Sequence, residues 1–200
     1  MSDLFNEKAK DWDASERKKL ISSAVGSSIL KHVPLHQQMD VMDFGAGTGL
    51  ISAHVVPFVH KIVAVDISKA MLDKLTAKPA LQDKVKAVCQ DITDKPIEAK
   101  FDLIMSAMAV HHVENTSKLI NTFYEHLKPG AKVALADLDK EDGSFHPEGS
   151  EGVFHCGFER NELQTLLENN CFDNIQFFTV HVINKKEKEY PVFLVVATKC

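Results

Sequence analysis

The chain has 200 residues, 44% of them hydrophobic and 26% charged, as expected of one globular domain of ordinary size. A formal charge of −5 disfavours a phosphate backbone as partner, and the densest basic stretch, 184–189, alternates sign like a solvated turn, which argues against nucleic acid. Four cysteines are too few and too scattered for a disulfide framework or a paired zinc motif. With no apolar leader in residues 1–13 and no run of about 18 apolar residues, they point to reduced thiols in a cytoplasmic protein with no membrane span.

In chain order, residues 1–31 carry helical period and no strand, and are expected to form a helical arm over the mouth of a sheet. Strands are predicted at 40–45, Lys61–Asp66, 85–90, Phe101–Ala107 and 132–138, with helices at 50–56, 68–77 and 116–127. The helix at 68–77 opens on Ser68, a good N-cap, and places Met71, Leu72 and Leu75 on one face. This alternation predicts a doubly wound, mostly parallel α/β sheet. Residues 139–157 hold four glycines and little apolar content, a loop long enough to be functional. Beyond a helix at Arg160–Asn169, two strands at 174–183 and 190–198 flank a charged turn at 185–189. Their separation is too short for a crossover, so they form an antiparallel hairpin. All 200 residues are expected to form one domain.

Chemistry concentrates at the strand ends. Asp43-Phe44-Gly45-Ala46-Gly47-Thr48-Gly49 stands where a strand ends and a helix begins, so a ligand can approach backbone unobstructed by Cβ atoms and meet helix N–H groups. A bare tight turn would give the same pattern. Its glycines run G-x-G-x-G, unlike the G-x-G-x-x-G of dinucleotide sites, and Asp43 would repel a pyrophosphate while suiting an ammonium or sulfonium. Asp66 ends the second strand, where a carboxylate can accept from ribose hydroxyls, and Asp91 follows the third.

With these motifs the chain resembles the class I S-adenosylmethionine-dependent methyltransferases, most nearly the small-molecule branch of ubiquinone and menaquinone biosynthesis. The likeness runs through Val65-Asp66-Ile67-Ser68, Gln90-Asp91-Ile92, the fourth-strand stretch 101–112 with its trailing histidines, and Leu127-Lys128-Pro129-Gly130. It implies a Rossmann-like seven-stranded sheet ending in an antiparallel pair, S-adenosylmethionine as cofactor, and methyl transfer to a small-molecule acceptor at an unresolved O, C, N or S atom. It also implies that Gly45, Ala46, Gly47, Thr48 and Gly49 line the methionine part while Asp43 orders the site. Asp66 would hold the ribose, Asp91 the adenine amino group, and Ile67 and Ile92 the ring faces, with backbone near Ser106 meeting the ammonium. The same fold can instead bind this nucleoside without chemistry of its own.

A base is needed only if the acceptor is protic, and imidazole suits the task. His111 and His112 follow the fourth strand and can face the acceptor or merely pack, His112 being the better candidate. His155, before Gly157-Phe158, can face the site or anchor its loop. Trp12 can close over the pocket or sit in the core. His146 reads as a turn residue. His146, His155 and Cys156 match no zinc spacing, and the acids at 137, 139, 141 and 142 read as solvated, so no metal is expected. Ser106-Ala107-Met108-Ala109 stands where base-methylating enzymes carry an Asn-Pro-Pro-Tyr type motif.

Overall fold

In a computed structural model, which describes residues 5, 7–147 and 149–200, seven strands form one sheet. They are β1 (Asp40–Phe44), β2 (Lys61–Asp66), β3 (Val85–Cys89), β4 (Phe101–Ala107), β5 (Leu127–Leu138), β6 (Phe172–Lys185) and β7 (Lys188–Lys199). Their order is β3-β2-β1-β4-β5-β7-β6, parallel through β5, with β7 antiparallel to both its neighbours. The helices are α1 (Glu16–His32), α2 (Leu50–Val55), α3 (Lys69–Thr76), α4 (Thr116–His126) and α5 (Arg160–Asn169).

Period-two alternation along each strand splits the apolar residues into two cores. Val41, Leu103, Met105 and Leu194 share one with α1, α2 and α3, whereas Met42, Ile104, Val133 and Phe193 share the other with α4 and α5. The chain runs outward in one direction from β1 to β3 and in the other from β4, so the sheet reverses between β1 and β4. A crevice opens there at the carboxyl ends of the strands.

Three elements differ from their sequence outlines. Of the N-terminal arm, Phe5, Trp12, Lys18, Ile21 and Ser22 reach the mouth of the sheet. Val25 and Ile29 of α1 are fully buried, and Gly26 admits the His54 ring, which would stand 2.6 Å from an added Cβ. α1 therefore packs one face, Ile21, Val25, Gly26 and Ile29, into the core. β5 starts at Leu127 and not at residue 132, because Pro129 lacks an N–H and holds Lys128 extended, ending α4 at His126. The charged turn shrinks to Lys186 and Glu187, with φ 48° and 62°, the two-residue hairpin geometry usually marked by Asn-Gly.

No helix among the described residues is long and apolar enough to cross a membrane.

Candidate functional site

The crevice is a cavity of about 430 Å³ rimmed by β1, β2, the segment after β3, and the segment after β4, with the arm as its roof. Gly45, Gly47 and Gly49 all have positive φ, 66°, 52° and 80°. Gly45 presses against residue 109 so closely that an added Cβ would lie 2.3 Å from the Ala109 Cβ. Gly49 turns the chain into α2, and a Cβ there would meet Leu81 at 2.8 Å and Leu75 at 2.9 Å. It shapes the cradle from behind, whereas Gly45, Ala46, Gly47 and Thr48 face the cavity.

Three carboxylates stand along the floor. Asp43 is 1% exposed, accepts a hydrogen bond from Ser52 Oγ at 2.6 Å, and has its pKa pushed up to about 7, chiefly by burial and also by the negative charge of Asp66. A cation in the cavity would restore its charge. Asp66 braces the turn, with Oδ2 accepting from the Gly47 N–H and Oδ1 from the Ser68 N–H, both at 2.8 Å. Asp91 accepts from the N–H and hydroxyl of Thr93, both through Oδ1, and no hydrogen bond to Oδ2 is made among the described residues. Ile67, 55% exposed, offers an apolar wall between Asp66 and Asp91.

Of the residues expected at the cofactor, Ile92 and the Ser106 side chain lie behind the cavity wall, and the backbone just after Ser106 reaches it. Ile92 is fully buried with Met42, Val65 and Phe123, because the Asx turn of Asp91 aims the next side chain into the core. Asp91 and Thr93 line the wall on either side of it. Ser106 is also fully buried within β4, and its hydroxyl has no hydrogen-bond partner among the described residues. The cavity is reached one step later, by Ala107, Met108 and Ala109. There Met108 holds φ 57°, a conformation L residues seldom adopt, and its N–H donates to the Ala136 carbonyl at 2.8 Å.

The histidines separate into distinct roles. His112 lines the cavity. Its Nδ1 lies 2.6 Å from the carbonyl oxygen of Gly152, which accepts and so leaves a lone pair on Nε2. Burial, aided by His111, lowers its pKa to about 4 and keeps it neutral. His111 turns away. It is 1% exposed, with Nδ1 2.7 Å from Asp137 Oδ1, and its backbone N–H donates to Asp137 Oδ2 at 3.1 Å. His155 does not face the cavity. Its Nε2 is 2.9 Å from the Val113 carbonyl and 3.1 Å from Thr116 Oγ1, and its backbone N–H joins that of Phe154 on the His111 carbonyl. It anchors the 139–157 loop, which in turn fixes the tautomer of His112. His146 lies in a bend with its ring tilted 42° to that of His111, centroids 5.1 Å apart.

Trp12 does line the cavity, beneath Phe5 and beside Lys18, whose Nζ is 3.2 Å from the indole centroid. Thr48 donates its hydroxyl to Asp13 at 2.5 Å, and Lys78 pairs with the other Asp13 oxygen at 2.7 Å, so one carboxylate ties the arm to the Gly-rich turn and to the end of α3. Phe5, Asp13, Lys18 and Phe154 were not singled out from sequence, since nothing local distinguishes them from surface arm or loop residues. Among the described residues, no group of three or more His, Cys, Asp or Glu side chains is placed to hold a metal ion.

Residues 42–135 match the family described as a methyltransferase domain. An uncharacterized methyltransferase of Schizosaccharomyces pombe is 30% identical over 155 residues, covering 69% of this chain and 55% of its own. A malonyl-[acyl-carrier protein] O-methyltransferase of Priestia megaterium is 28% identical over 184 residues, covering 90% of this chain and 64% of its own. The chain thus spans less than two thirds of either relative. The structure of Haemonchus contortus phosphoethanolamine N-methyltransferase 2 in complex with S-adenosyl-L-methionine superposes with a TM-score of 0.71 at 15% identity, over 92% of this chain and 57% of that one. Residues 42–135 thus match a methyltransferase domain, and the sheet built around them shares the fold of a methyltransferase solved in complex with S-adenosyl-L-methionine.

Proposed function

We propose that this chain transfers the methyl group of S-adenosylmethionine to a small-molecule acceptor. The carrying observation is the convergence of Asp43, Asp66 and Asp91 with the Gly45–Gly47 backbone on one cavity at the sheet's switch point. A buried carboxylate whose charge is suppressed in isolation fits a cationic ligand, and the open backbone at Gly47 fits its close approach. When bound, the sulfonium supplies an activated methyl group for in-line displacement. Asp43 would neutralise positive charge at the cradle, Asp66 and the Oδ2 of Asp91 would accept from the ribose and the adenine amino group, and Ile67 would cover the ring.

On the acceptor side, Phe5, Trp12, Phe154 and Val113 make an apolar enclosure that excludes water. His112 presents the Nε2 lone pair to a protic acceptor atom. The acceptor is accordingly small and partly apolar, and residues 1–200 act as one domain whose arm serves as the lid. The free cysteines fit a reducing, cytoplasmic setting.

Isothermal titration with S-adenosylmethionine tests this reading. Wild type binds, and Asp66→Ala loses at least roughly tenfold in affinity, the cost of a charged hydrogen-bond partner. S-adenosylhomocysteine release across an acceptor screen tests the chemistry. Wild-type protein that ignores the nucleoside at millimolar levels refutes the proposal, and binding without turnover on any acceptor reduces it to a nucleoside-binding module.

A further inference from the structure

Among the described residues, Lys18 is a cation without a counter-ion. It lies in the first turn of α1, which starts at Glu16 behind the Ser15 cap, and with Ile21 and Ser22 it forms the helix face that lines the cavity. Several arm and rim lysines are paired, whereas Lys8 stands over the Phe5 ring, 4.9 Å from its centroid. Lys10 meets Glu7, Lys19 meets Glu16, Lys118 meets Asp94, and Lys78 meets Asp13. Among the described residues no carboxylate lies within ion-pair distance of Lys18. The adjacent acid, Asp13, has Oδ1 on Thr48 and Oδ2 on Lys78.

The Lys18 ammonium rests instead on the face of Trp12, 3.2 Å from its centroid. Burial, with the nearby charges of Arg17 and Lys8, pulls its pKa below the ordinary lysine value. A partly desolvated ammonium facing a ligand cavity needs an anion to recover the lost solvation. The cavity is thereby polarised. Asp43, Asp66 and Asp91 stand at the sheet end, and the Lys18 ammonium stands at the arm end.

We propose that Lys18 is the anion anchor of this cavity and holds a carboxylate of the bound ligands, with the Ser22 hydroxyl beside it. This rests on the proposed function. The carboxylate has two possible sources, the amino-acid tail of the cofactor or the acceptor itself, and the two share one recognition chemistry.

Trp12 is the sole tryptophan of the chain, so its fluorescence reports directly on the contact. Wild type, Lys18→Met and Lys18→Arg are titrated with S-adenosylmethionine and with decarboxylated S-adenosylmethionine, and then with benzoate on protein saturated with S-adenosylhomocysteine. Midpoints are compared, and thermal melts confirm folding. If the cofactor tail is the partner, Lys18→Met weakens S-adenosylmethionine by roughly ten- to a hundredfold, leaves the decarboxylated analogue unchanged, and Lys18→Arg recovers most of the loss. If the acceptor is the partner, both nucleosides bind Lys18→Met normally and benzoate binding is lost. Lys18→Met that matches wild type in every titration overturns the inference while leaving the methyltransferase reading intact. A wild type that binds neither nucleoside overturns both.

Discussion

His112 Nδ1 lies 2.6 Å from the carbonyl oxygen of Gly152, so the tautomer of a cavity-lining imidazole is set by a loop 40 residues downstream. The folded ring stays neutral down to a pKa of about 4, against 6.5 as its ordinary value, because burial and His111 oppose a second charge. Two outcomes follow from the sign of that shift. Between those pH values the unfolded chain binds a proton at this ring and the folded chain does not. Stability therefore falls as pH drops through that window, by on the order of 3 kcal/mol in all. Denaturant melts of wild type and His112→Gln at pH about 7 and about 4.5 measure this, and the variant should show the shallower pH dependence. The transfer rate should also lack an inflection near 6.5 arising from this residue, while His112→Ala lowers kcat by roughly ten- to a hundredfold with cofactor affinity near wild type.

Asp43 titrates in the opposite sense. Its folded pKa of about 7 lies above the ordinary 3.8, so the folded state binds the extra proton and stability is lost as pH rises through that interval, by on the order of 4 kcal/mol. Asp43→Asn keeps the shape and removes the penalty. It should melt higher than wild type at pH about 8.5 and near wild type at pH about 4, while binding S-adenosylmethionine more weakly. Calorimetric titration of wild type near pH 6.5 in buffers of differing ionisation enthalpy should report proton release on binding. Buffer-independent heats would contradict the charge restoration proposed for this residue.

The Asp13 carboxylate, shared between Thr48 and Lys78, is the polar tie between arm and cradle. Thr48→Val removes the hydroxyl at nearly constant volume and leaves a buried position apolar. The expected outcome is faster amide exchange over residues 7–15, with the rest of the sheet unaffected, and a cofactor off-rate several-fold higher, about 1 kcal/mol. Unchanged exchange in the arm would mean that Phe5, Trp12 and α1 packing hold the lid without it.

Much of this architecture was legible because strand periodicity and strand-end aspartates are local signals. β1, β2, β4 and the hairpin announce themselves by apolar runs bounded by charge, with Asp43 and Asp66 at the ends of β1 and β2 and Asp91 just past β3. What escaped is non-local. Nothing around Lys18 or Phe5 tells that α1 brings them onto the cavity, and nothing around His155 tells that Val113 and Thr116 claim its ring. Ile92, expected on the ring face from the family resemblance, lies in the core beneath the wall that Asp91 and Thr93 line. The Lys186-Glu187 turn hid because residues without glycine's freedom adopt its conformation.

Gly45 and Ala109 give a test of the cradle that is independent of charge. The φ of 66° at Gly45 strains any L side chain by roughly 1 kcal/mol, and the new Cβ would stand 2.3 Å from that of Ala109, well inside contact distance. Gly45→Ala must therefore push the Gly-rich turn away from the segment after β4, widening the gap between Ala46 and Met108 that the nucleoside would bridge. Its cofactor affinity should fall by roughly a hundredfold. Ala109→Gly alone should cost little binding, because it only removes a methyl from the back of the contact. In the double variant the clash is gone and the φ strain remains, so affinity should return to within roughly tenfold of wild type, a coupling of more than about 1 kcal/mol between the two positions. Strictly additive losses in calorimetric titration would show that Gly45 acts through its backbone conformation alone.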